Sequence, residues 1–377
     1  MSRIATRELS MVIALVAIWA FFAWREPVFL SSRNLSLLSV ELAVTAVLAL
    51  GMLVVLLPGQ IDLSAGSGVG LAGAVAAVLV FWHGVPAPLA LLVAAIGAVL
   101  VWSAMGALIA IERIPAFIMT LGGLLVFRGL HWLVIQNQTV PVVEGGSQNA
   151  YSLLTTYFLP PVAGYALAGL AVTAMVVSAL GARARRKSYG FAVDDGELTF
   201  LKLLVLAQLI VLVVIVTNGY RGVPVALVVL GLVAVLVHQL ITNTPFGRYL
   251  YAVGGNEEAA TVSGVPVRAT VIGAYALMGG IVALTGFMQT AYSGASTSTV
   301  GSLMELDAVA ACVIGGTSLR GGRGSVLGVL FGALIMASLL NGMTLMAVSP
   351  EAKYIARGMV LALAVWLDLR LGQGRHL

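Results

Sequence analysis

Charge is the scarcest property of this chain. Charged residues make up 9% of its 377 residues, whereas 60% are hydrophobic. A soluble domain of this size carries roughly a quarter charged residues. With a mean hydropathy of +1.05 the chain could not keep its apolar surface away from water, so a bilayer must be its solvent. The composition excludes a soluble globular protein and indicates a membrane protein.

Several chemical signatures are also absent. The single cysteine, Cys312, excludes an intramolecular disulfide. A phosphate-binding loop requires a lysine directly after a glycine, and none of the three lysines follows a glycine. The chain therefore has no such loop with which to bind ATP. The net charge of +5 comes without a basic face bearing stacking aromatics, which argues against a nucleic-acid partner. The four histidines lie far apart, without metal-ligand spacing, so no bound cofactor or metal is expected: His83, His131, His238 and His376.

Long apolar runs, in contrast, fill the sequence. A spanning helix needs about 20 apolar residues, and the runs between breakers predict an all-α polytopic membrane protein with about 10–12 transmembrane helices, some discontinuous. We expect a single transmembrane domain over residues 1–377. The predicted segments are 9–24, 37–58, 63–82, 86–111, 115–135, 160–181, 198–217, 223–241, 269–291, 303–317, 324–347 and 352–370. Segment 9–24 follows Arg3 and Arg7 but ends in bulky aromatics without a cleavage site, which predicts a retained first helix.

The few basic residues orient these segments. With a cytoplasmic N-terminus and alternating spans, the inner side holds Arg3, Arg7, Arg113, Arg183, Arg185, Arg186, Lys187, Arg248, Arg268, Arg320, Arg323, Arg370 and Arg375. The outer side holds only Arg25, Arg33, Arg221 and Lys353. This bias follows the positive-inside rule and places both termini in the cytoplasm. The inner loops 182–197 and 242–268 and the polar outer loop 136–159 are then the longest connections.

Glycine is abundant, with 43 residues, and many glycines lie inside the apolar segments. Small residues let membrane helices approach closely, and Gly66, Gly68, Gly70 and Gly73 form one such ridge. Their spacing also matches a dinucleotide fingerprint, but no strand precedes them, so that interpretation is rejected. Residues 58–68 and 315–324 share glycine and leucine at four positions of one offset, which is a weak indication of an internal repeat.

The inner loop 244–267 has its own structural signals. A proline opens it, and Asn256 precedes Glu257 and Glu258, as expected for a short helix with a capped, acidic first turn. Gly264 and Pro266 should stop that helix before the next span. A capped helix in a cytoplasmic loop is either a docking knob for a soluble partner or an ordinary connection, and the residues alone leave both open.

This loop resembles a known family. Phe-Gly-Arg at 246–248, Ala-Val-Gly-Gly-Asn at 252–256, Ala-Ala at 259–260 and Ser-Gly at 263–264 are similar to the coupling loop of bacterial sugar ABC-importer permeases of the ribose/xylose/galactose type. Motifs at 31–35, 61–67, 114–122, 305–319 and 341–343 follow in the family's order over most of the chain. Within the family, segments 221–224, 336–343 and 363–368 and the extra length between about 180 and 220 look most like the D-xylose permeases.

The resemblance implies partners and a mechanism. Two copies of the permease would form the pore in the inner membrane, two ATP-binding subunits would dock from the cytoplasm, and a periplasmic binding protein would deliver a small sugar. ATP would be bound by the partner subunit and not by this chain. The coupling contacts would be Arg248, Asn256, Glu257, Glu258, Ala259, Ala260, Ser263 and Gly264.

Polar residues in apolar surroundings are candidates for the translocation path, because charge inside a membrane is expensive. Asp62 follows a Pro-Gly-Gln break, so it is either an N-cap of the span from Leu63 or part of a discontinuous helix lining a cavity. For Glu305 and Asp307 a first-turn role at a short helix is favoured. Arg128 and His131 are expected to snorkel to the outer interface. The path candidates are Ser64, Asp62, Thr120, Asp307 and Thr317, with Glu41 left open between the pore and the outer interface.

Two other classes of protein are alternatives. An ion-coupled secondary transporter for a small polar solute would also show many spans and membrane carboxylates, but it has no need of a docking knob. A membrane-embedded enzyme should show a nucleophile–base pair or a ligand cluster, and the sequence has neither.

Overall fold

A computed structural model describes residues 3–143, 147–193 and 195–372, and the side chains of residues 11–366 within them. Glu144, Asp194 and Arg375, and the side chains of Arg3, Arg7 and Arg370, lie outside the described part. The fold is almost entirely helical. The long helices are α1 (Arg3–Arg25), α2 (Ser32–Leu56), α3 (Ala65–Phe81), α4 (Ala87–Glu112), α5 (Ala116–Val134), α7 (Pro161–Ser188), α8 (Gly196–Asn218), α9 (Val225–Asn243), α12 (Val267–Ser293), α14 (Val326–Leu345) and α15 (Pro350–Gly372).

Short elements connect the long helices. They are α6 (Leu153–Thr156), α10 (Pro245–Gly255), α11 (Glu257–Val262), α13 (Met304–Ile314) and the two-residue strands β1 (Val140–Pro141), β2 (Phe158–Leu159), β3 (Val223–Pro224) and β4 (Ala295–Ser296). Strand β1 pairs antiparallel with β4, and β2 with β3. Each predicted apolar segment coincides with a helix, and eight helices of the described residues are long and apolar enough to cross a membrane. The predicted polytopic, all-α class is therefore confirmed.

One of the predicted spans is too short to cross the membrane as a single helix. The segment 303–317 contains only α13, whose 11 residues rise about 16 Å, half the thickness of a hydrocarbon core. The helix begins after Leu303, which has a left-handed φ of 61°, and ends at Gly315. The chain therefore crosses this part of the membrane as a turn segment followed by a half-length helix, which is the predicted discontinuity.

Helix α2 is the centre of the molecule. Every face of this helix carries apolar residues, as expected for a helix that is buried on all sides. The apolar side chains from Val47 to Leu57 are at most 1% exposed. Helices α8, α9, α12, α13 and α14 pack around it. The thiol of Cys312 on α13 donates to the carbonyl oxygen of Ala49 at 3.2 Å.

Helices α3, α4 and α12 form the second packed group, and glycine sets their spacing. A Cβ added at Gly279 of α12 would lie 2.7 Å from the carbonyl oxygen of Ala98 on α4. A Cβ added at Gly106 of α4 would lie 2.7 Å from the Cβ of Tyr275. Since apolar side chains gain little by leaving lipid, such close backbone contact supplies much of the association energy.

Helices α7 and α8 lie at the periphery and contact mainly each other. Most of their apolar side chains are exposed, as expected for a surface that faces lipid. The segment 182–197, predicted to be an inner loop, is only partly a loop. Helix α7 runs on through the basic residues to Ser188, because basic side chains near a helix C-terminus interact favourably with its dipole.

The outer loop 136–159 is more ordered than its polarity indicates. It contributes β1 and β2, and Tyr151 from this loop is fully buried. The hydroxyl of Tyr151 donates to the carbonyl oxygen of Gly73 on α3 at 2.8 Å. The loop therefore seals the outer end of the group formed by α3 and α12.

The two neighbouring glycines of α12 test the packing argument. We expect Gly279→Ala to lower the free energy of unfolding by about 1–3 kcal/mol through overpacking against α4. Gly280→Ala is the matched control, because a Cβ there meets only a methyl group of Val99 at 3.7 Å. It should be neutral or stabilise the helix by up to about 1 kcal/mol. Thermal unfolding of the purified variants in detergent measures both, and equal midpoints would contradict the argument.

Candidate functional site

The segment between α9 and α12, which the charge bias predicts to be cytoplasmic, consists of two capped helices, where the sequence predicted one. The hydroxyl of Thr244 accepts from the amide of Gly247 at 3.1 Å and caps α10. The side-chain oxygen of Asn256 accepts from the amide of Ala259 at 2.8 Å and caps α11, as predicted. Gly264, with a φ of 81°, ends the segment, also as predicted.

Helix α11 presents its first turn to solvent. Asn256, Glu257 and Glu258 are exposed, as are Ala259 and Ser263, whereas Ala260 is buried against the protein. Next to them Val262 is 89% exposed, an unusual position for a large apolar side chain. Together these residues form an acidic surface with an apolar tip, which we call the α11 knob (residues 256–264). Arg248 on α10 and Gly264 are also exposed.

Helix α10 fixes the α11 knob to the membrane domain. Leu250 is fully buried and Val253 is 3% exposed, so the inner face of α10 lies in the hydrophobic core. The ring of Phe246 lies against Gly273 of α12, where a Cβ would come within 2.9 Å of it. A force on the α11 knob would therefore move a rigid, packed helix rather than a loose loop.

Three backbone segments meet where α10 ends. The amide of Gly322 donates to the carbonyl oxygen of Leu57 at 2.9 Å. A Cβ at Gly254 would overlap both the oxygen of Leu57 and the nitrogen of Gly322. We call this contact of residues 57, 254 and 322 the glycine junction. It joins α10 to the loop that leads into α3 and to the loop that leads from α13 into α14.

A tyrosine supports the glycine junction. The hydroxyl of Tyr251 on α10 donates to the carbonyl oxygen of Gly324 at 2.9 Å. Burial raises the pKa of this phenol above its usual range, so the hydroxyl keeps the proton it donates. The two segments that share an internal sequence echo, 58–68 and 315–324, are thus brought together beside α10.

Asp62 lies directly beyond the glycine junction and is fully buried. One carboxyl oxygen accepts from the amide of Ser64 at 2.8 Å and from its hydroxyl at 2.6 Å. The other accepts from the indole nitrogen of Trp102 at 2.7 Å. Helix α3 begins at Ala65 rather than Leu63, so Asp62 closes a turn before the helix and is not its N-cap residue. Through its bond to Trp102, Asp62 connects the turn before α3 to α4.

The other hydroxyl candidates are also buried. Thr120 donates to the carbonyl oxygen of Ala116 at 2.9 Å within α5 and lies 3.1 Å from that of Ile61. Ser64 is engaged with Asp62, and the buried hydroxyl of Thr317 has no hydrogen-bond partner among the described residues. The structure therefore brings Asp62, Ser64 and Thr120 together at the break before α3, where all three side chains are fully buried.

The acidic residues of α13 both lie in its first turn, as predicted. Asp307 forms an ion pair with Arg357 of α15, with 3.3 Å between the closest nitrogen and oxygen. The pair lines a cavity of about 190 Å³ between α13, α14 and α15. Glu305 instead packs against Gly66 of α3, where any side chain would overlap its carboxylate. The charges of α13 therefore hold the half-length helix between its neighbours.

Arg128 and His131 do not behave alike. Arg128 is exposed, with its guanidinium carbon 5.6 Å from the ring centroid of Trp132. His131 is 2% exposed and packs on Gly70, with its ring 3.4 Å from the hydroxyl of Ser296. The prediction that His131 snorkels to the interface is wrong, because glycine at position 70 leaves room for its ring inside the protein.

Glu41 lies at the outer ends of α2, α12 and α14. It accepts from the hydroxyl of Tyr292 at 2.8 Å and from the amide of Asn341 at 3.5 Å. The amide of Asn34 in turn donates to Asn341 at 2.9 Å. Glu41 is thus part of a polar network that joins three helices near the outer side.

Several residues of the site were not identified from the sequence. The sequence analysis placed Leu57 and Trp102 in apolar spans and Gly254 and Gly322 in loops. The paired glycines at 254–255 and 321–322 were the available signal for close backbone contact. The hydroxyl-rich run 296–302, before the half-length helix, was the available indication of a polar segment between apolar spans.

A helical membrane domain with discontinuous helices in its interior has the architecture of a transport permease. Residues 34–365 match the family described as branched-chain amino acid transport system / permease component. The chain belongs to this permease family.

Curated relatives extend over nearly the whole chain. The xylose transport system permease protein XylH of Escherichia coli (strain K12) is 39% identical over 359 residues, covering 95% of this chain and 90% of the relative. XylH of Haemophilus influenzae is 39% identical over 361 residues, with 95% of each chain covered. The ribose import permease protein RbsC of Escherichia coli (strain K12) is 32% identical over 366 residues, covering 96% of this chain and 93% of the relative. No solved structure matches. The chain is a permease of the inner membrane rather than an enzyme.

The bond between Trp102 and Asp62 can be tested against a matched control. We expect Trp102→Phe to lower the free energy of unfolding by about 1–3 kcal/mol, because it leaves a buried carboxyl oxygen without its donor. Trp19→Phe removes the same donor group from a neutral acceptor, the hydroxyl of Ser338 at 2.9 Å, in a less buried place. Trp19→Phe should therefore lower the free energy of unfolding by less than Trp102→Phe. Thermal unfolding in detergent measures both, and a larger loss for Trp19→Phe would contradict the role assigned to Asp62.

Proposed function

We propose that this chain is the membrane-spanning subunit of an ATP-binding-cassette importer that carries D-xylose across the inner membrane. The observation that carries the proposal is the α11 knob, capped, exposed and fixed to the broken helices through the glycine junction. The relatives named for xylose transport share more of this chain's residues than the relative named for ribose. ATP is hydrolysed by a separate subunit, because this chain has no phosphate-binding loop.

The proposal assigns a contact to each partner. The ATP-binding subunit grips the α11 knob from the cytoplasm, with Glu257 and Glu258 against its basic side chains and Val262 in an apolar pocket. The coupling residues are Arg248, Asn256, Glu257, Glu258, Ala259, Ala260, Ser263 and Gly264. The periplasmic binding protein docks on the outer side and releases xylose. A second copy of the permease, surrounded by lipid, supplies the other wall of the pathway.

The glycine junction gives this arrangement a mechanism. Movement of α10 shifts the backbone of Gly254, which lies directly on Leu57 and Gly322. Those residues belong to the loops that lead into α3 and α14, so both discontinuous elements respond together. The path candidates Asp62, Ser64 and Thr120 lie at the first break, and Thr317 and Asp307 at the second. ATP-driven closure of the partner subunits would thus switch the pathway from outward-facing to inward-facing.

Purification of the tagged chain in mild detergent, with mass spectrometry of the bound proteins, tests the class of transporter. We expect an ATPase with a phosphate-binding loop in equimolar ratio. The recovered complex, reconstituted with its binding protein, should hydrolyse ATP faster with xylose than with ribose as the ligand. A chain that is recovered alone and moves xylose into liposomes without ATP is an ion-coupled carrier, and the proposal fails.

The charge of the α11 knob provides a second test. Glu258→Lys should reduce the stimulation of ATP hydrolysis by the loaded binding protein at least several-fold, because it reverses a charge at the contact with the ATP-binding subunit. Glu197→Lys makes the same change in the exposed first turn of α8, on the other cytoplasmic loop, and should leave stimulation unchanged. Equal effects of the two variants would show that the stimulation depends only on the net charge of the chain, and would contradict a specific contact at the α11 knob.

The glycine junction provides a third test, in which two adjacent residues differ only in what surrounds them. Gly254→Ala should impair coupling, lowering xylose transport per ATP hydrolysed, because its methyl group separates α10 from Leu57 and Gly322. A Cβ at Gly255 meets nothing within 4 Å, so Gly255→Ala should transport normally. Size-exclusion profiles establish that both variants fold. Normal coupling in Gly254→Ala would remove the glycine junction from the mechanism.

A further inference from the structure

The segment between β4 and α13 is non-helical backbone that packs against α3, so it lies at the depth of that predicted span. It leaves β4, which pairs with β1 of the outer loop, and by Gly301 it has reached Gly66 in the first turn of α3. Its internal bonds are turns, from the amide of Val300 to the carbonyl of Thr297 and from Ser302 to Thr299, each at 3.1 Å. Irregular backbone at this depth is tolerated only inside protein or along a water-filled cavity.

The side chains of this segment, which we call the hydroxyl turn (Thr297–Ser302), are polar on the open side. Ser298 and Thr299 are exposed, while Val300 and Gly301 are buried against α3. The hydroxyls of Thr297 and Thr299 lie 3.1 Å apart. Lipid cannot satisfy exposed hydroxyls on irregular backbone, so this surface does not face hydrocarbon.

Two side chains of α5 continue the same surface. The indole nitrogen of Trp132 donates to the carbonyl oxygen of Ser298 at 3.3 Å, and the ring is 41% exposed. Arg128 lies over that ring and is exposed as well. A guanidinium on a spanning helix is costly next to lipid. Snorkelling to headgroups would explain Arg128 alone, but it does not explain why Trp132 is bonded to the hydroxyl turn.

We propose that the hydroxyl turn, with Arg128 and Trp132, forms the wall along which the sugar passes in the outer half of the membrane. The ligand class is a neutral polyhydroxylated molecule, whose hydroxyls exchange hydrogen bonds with Ser298, Thr299 and Arg128 and whose C–H face packs on an aromatic ring. This inference rests on the proposed function, which assigned no role to these residues. Many weak polar contacts suit a pathway, because tight binding would slow release.

Thiol labelling of the complete importer in liposomes tests the position of this wall. The only native cysteine, Cys312, is buried and is replaced by alanine in the background. Ser298→Cys should react with a membrane-impermeant cationic methanethiosulfonate added on the side of the binding protein, and the reaction should block xylose transport. Leu212→Cys, 55% exposed on peripheral α8, is the lipid-facing control and should not react. Failure of Ser298→Cys to react, or reaction without loss of transport, overturns the inference.

A pair of substitutions at Thr299 tests contact with the sugar. Thr299→Val keeps the shape and removes the hydroxyl, and should slow xylose transport about fivefold, the effect of one hydrogen bond. Thr299→Ser keeps the hydroxyl and should transport at nearly the wild-type rate. Stimulation of ATP hydrolysis should persist in both, which shows that they fold and couple.

The outcomes separate the two levels of the argument. If the wild-type importer does not move xylose, the proposed function fails and the variants are not needed. If the wild type moves xylose and Thr299→Val does so equally fast, the proposed function stands and the hydroxyl turn is not the wall. A rate lowered equally in the serine and valine variants also counts against a role for the hydroxyl.

Discussion

Backbone contact through glycine is the constraint on which this structure depends. In a membrane, apolar side chains gain little by leaving lipid, so helices associate through close packing and satisfied polar groups. Glycines on α3, α4 and α12 bring those helices together, as Gly106 and Gly279 do against Tyr275 and Ala98. The same device at Gly254 and Gly322 joins the cytoplasmic segment to the interior. Packing and coupling therefore share one physical basis.

Polar groups inside the membrane domain are few, and nearly all the carboxylates have specific partners. Asp62 is held by Ser64 and Trp102, Asp307 by Arg357, and Glu41 by Tyr292. This pattern stabilises the breaks in the helices, where backbone groups lose their regular partners. The surface around the hydroxyl turn differs, because the polar side chains of Ser298, Thr299 and Arg128 are exposed there. Exposure is what the proposed contact with a passing solute requires.

The loops before α3 and after α13 meet beside α10, which contacts both. The proposed coupling would use this contact, because a movement of α10 would reach both discontinuous elements. A packed interior is nearly incompressible, so displacement of α10 is passed on rather than absorbed. In contrast α7 contacts mainly α8, and most apolar side chains of both helices are exposed, as expected for a surface that contacts lipid.

The sequence by itself determined the class, the number of apolar segments and the caps at Asn256 and Gly264, because hydropathy and capping depend on residues close together in the chain. It did not determine that α10 is a helix, that α13 is half-length, or that His131 is buried. Only the tertiary structure decided these points, and only it brought together Leu57, Gly254 and Gly322, or Asp62 and Trp102. Such contacts join residues far apart in sequence, and which glycine permits which approach depends on the packing of all the helices at once.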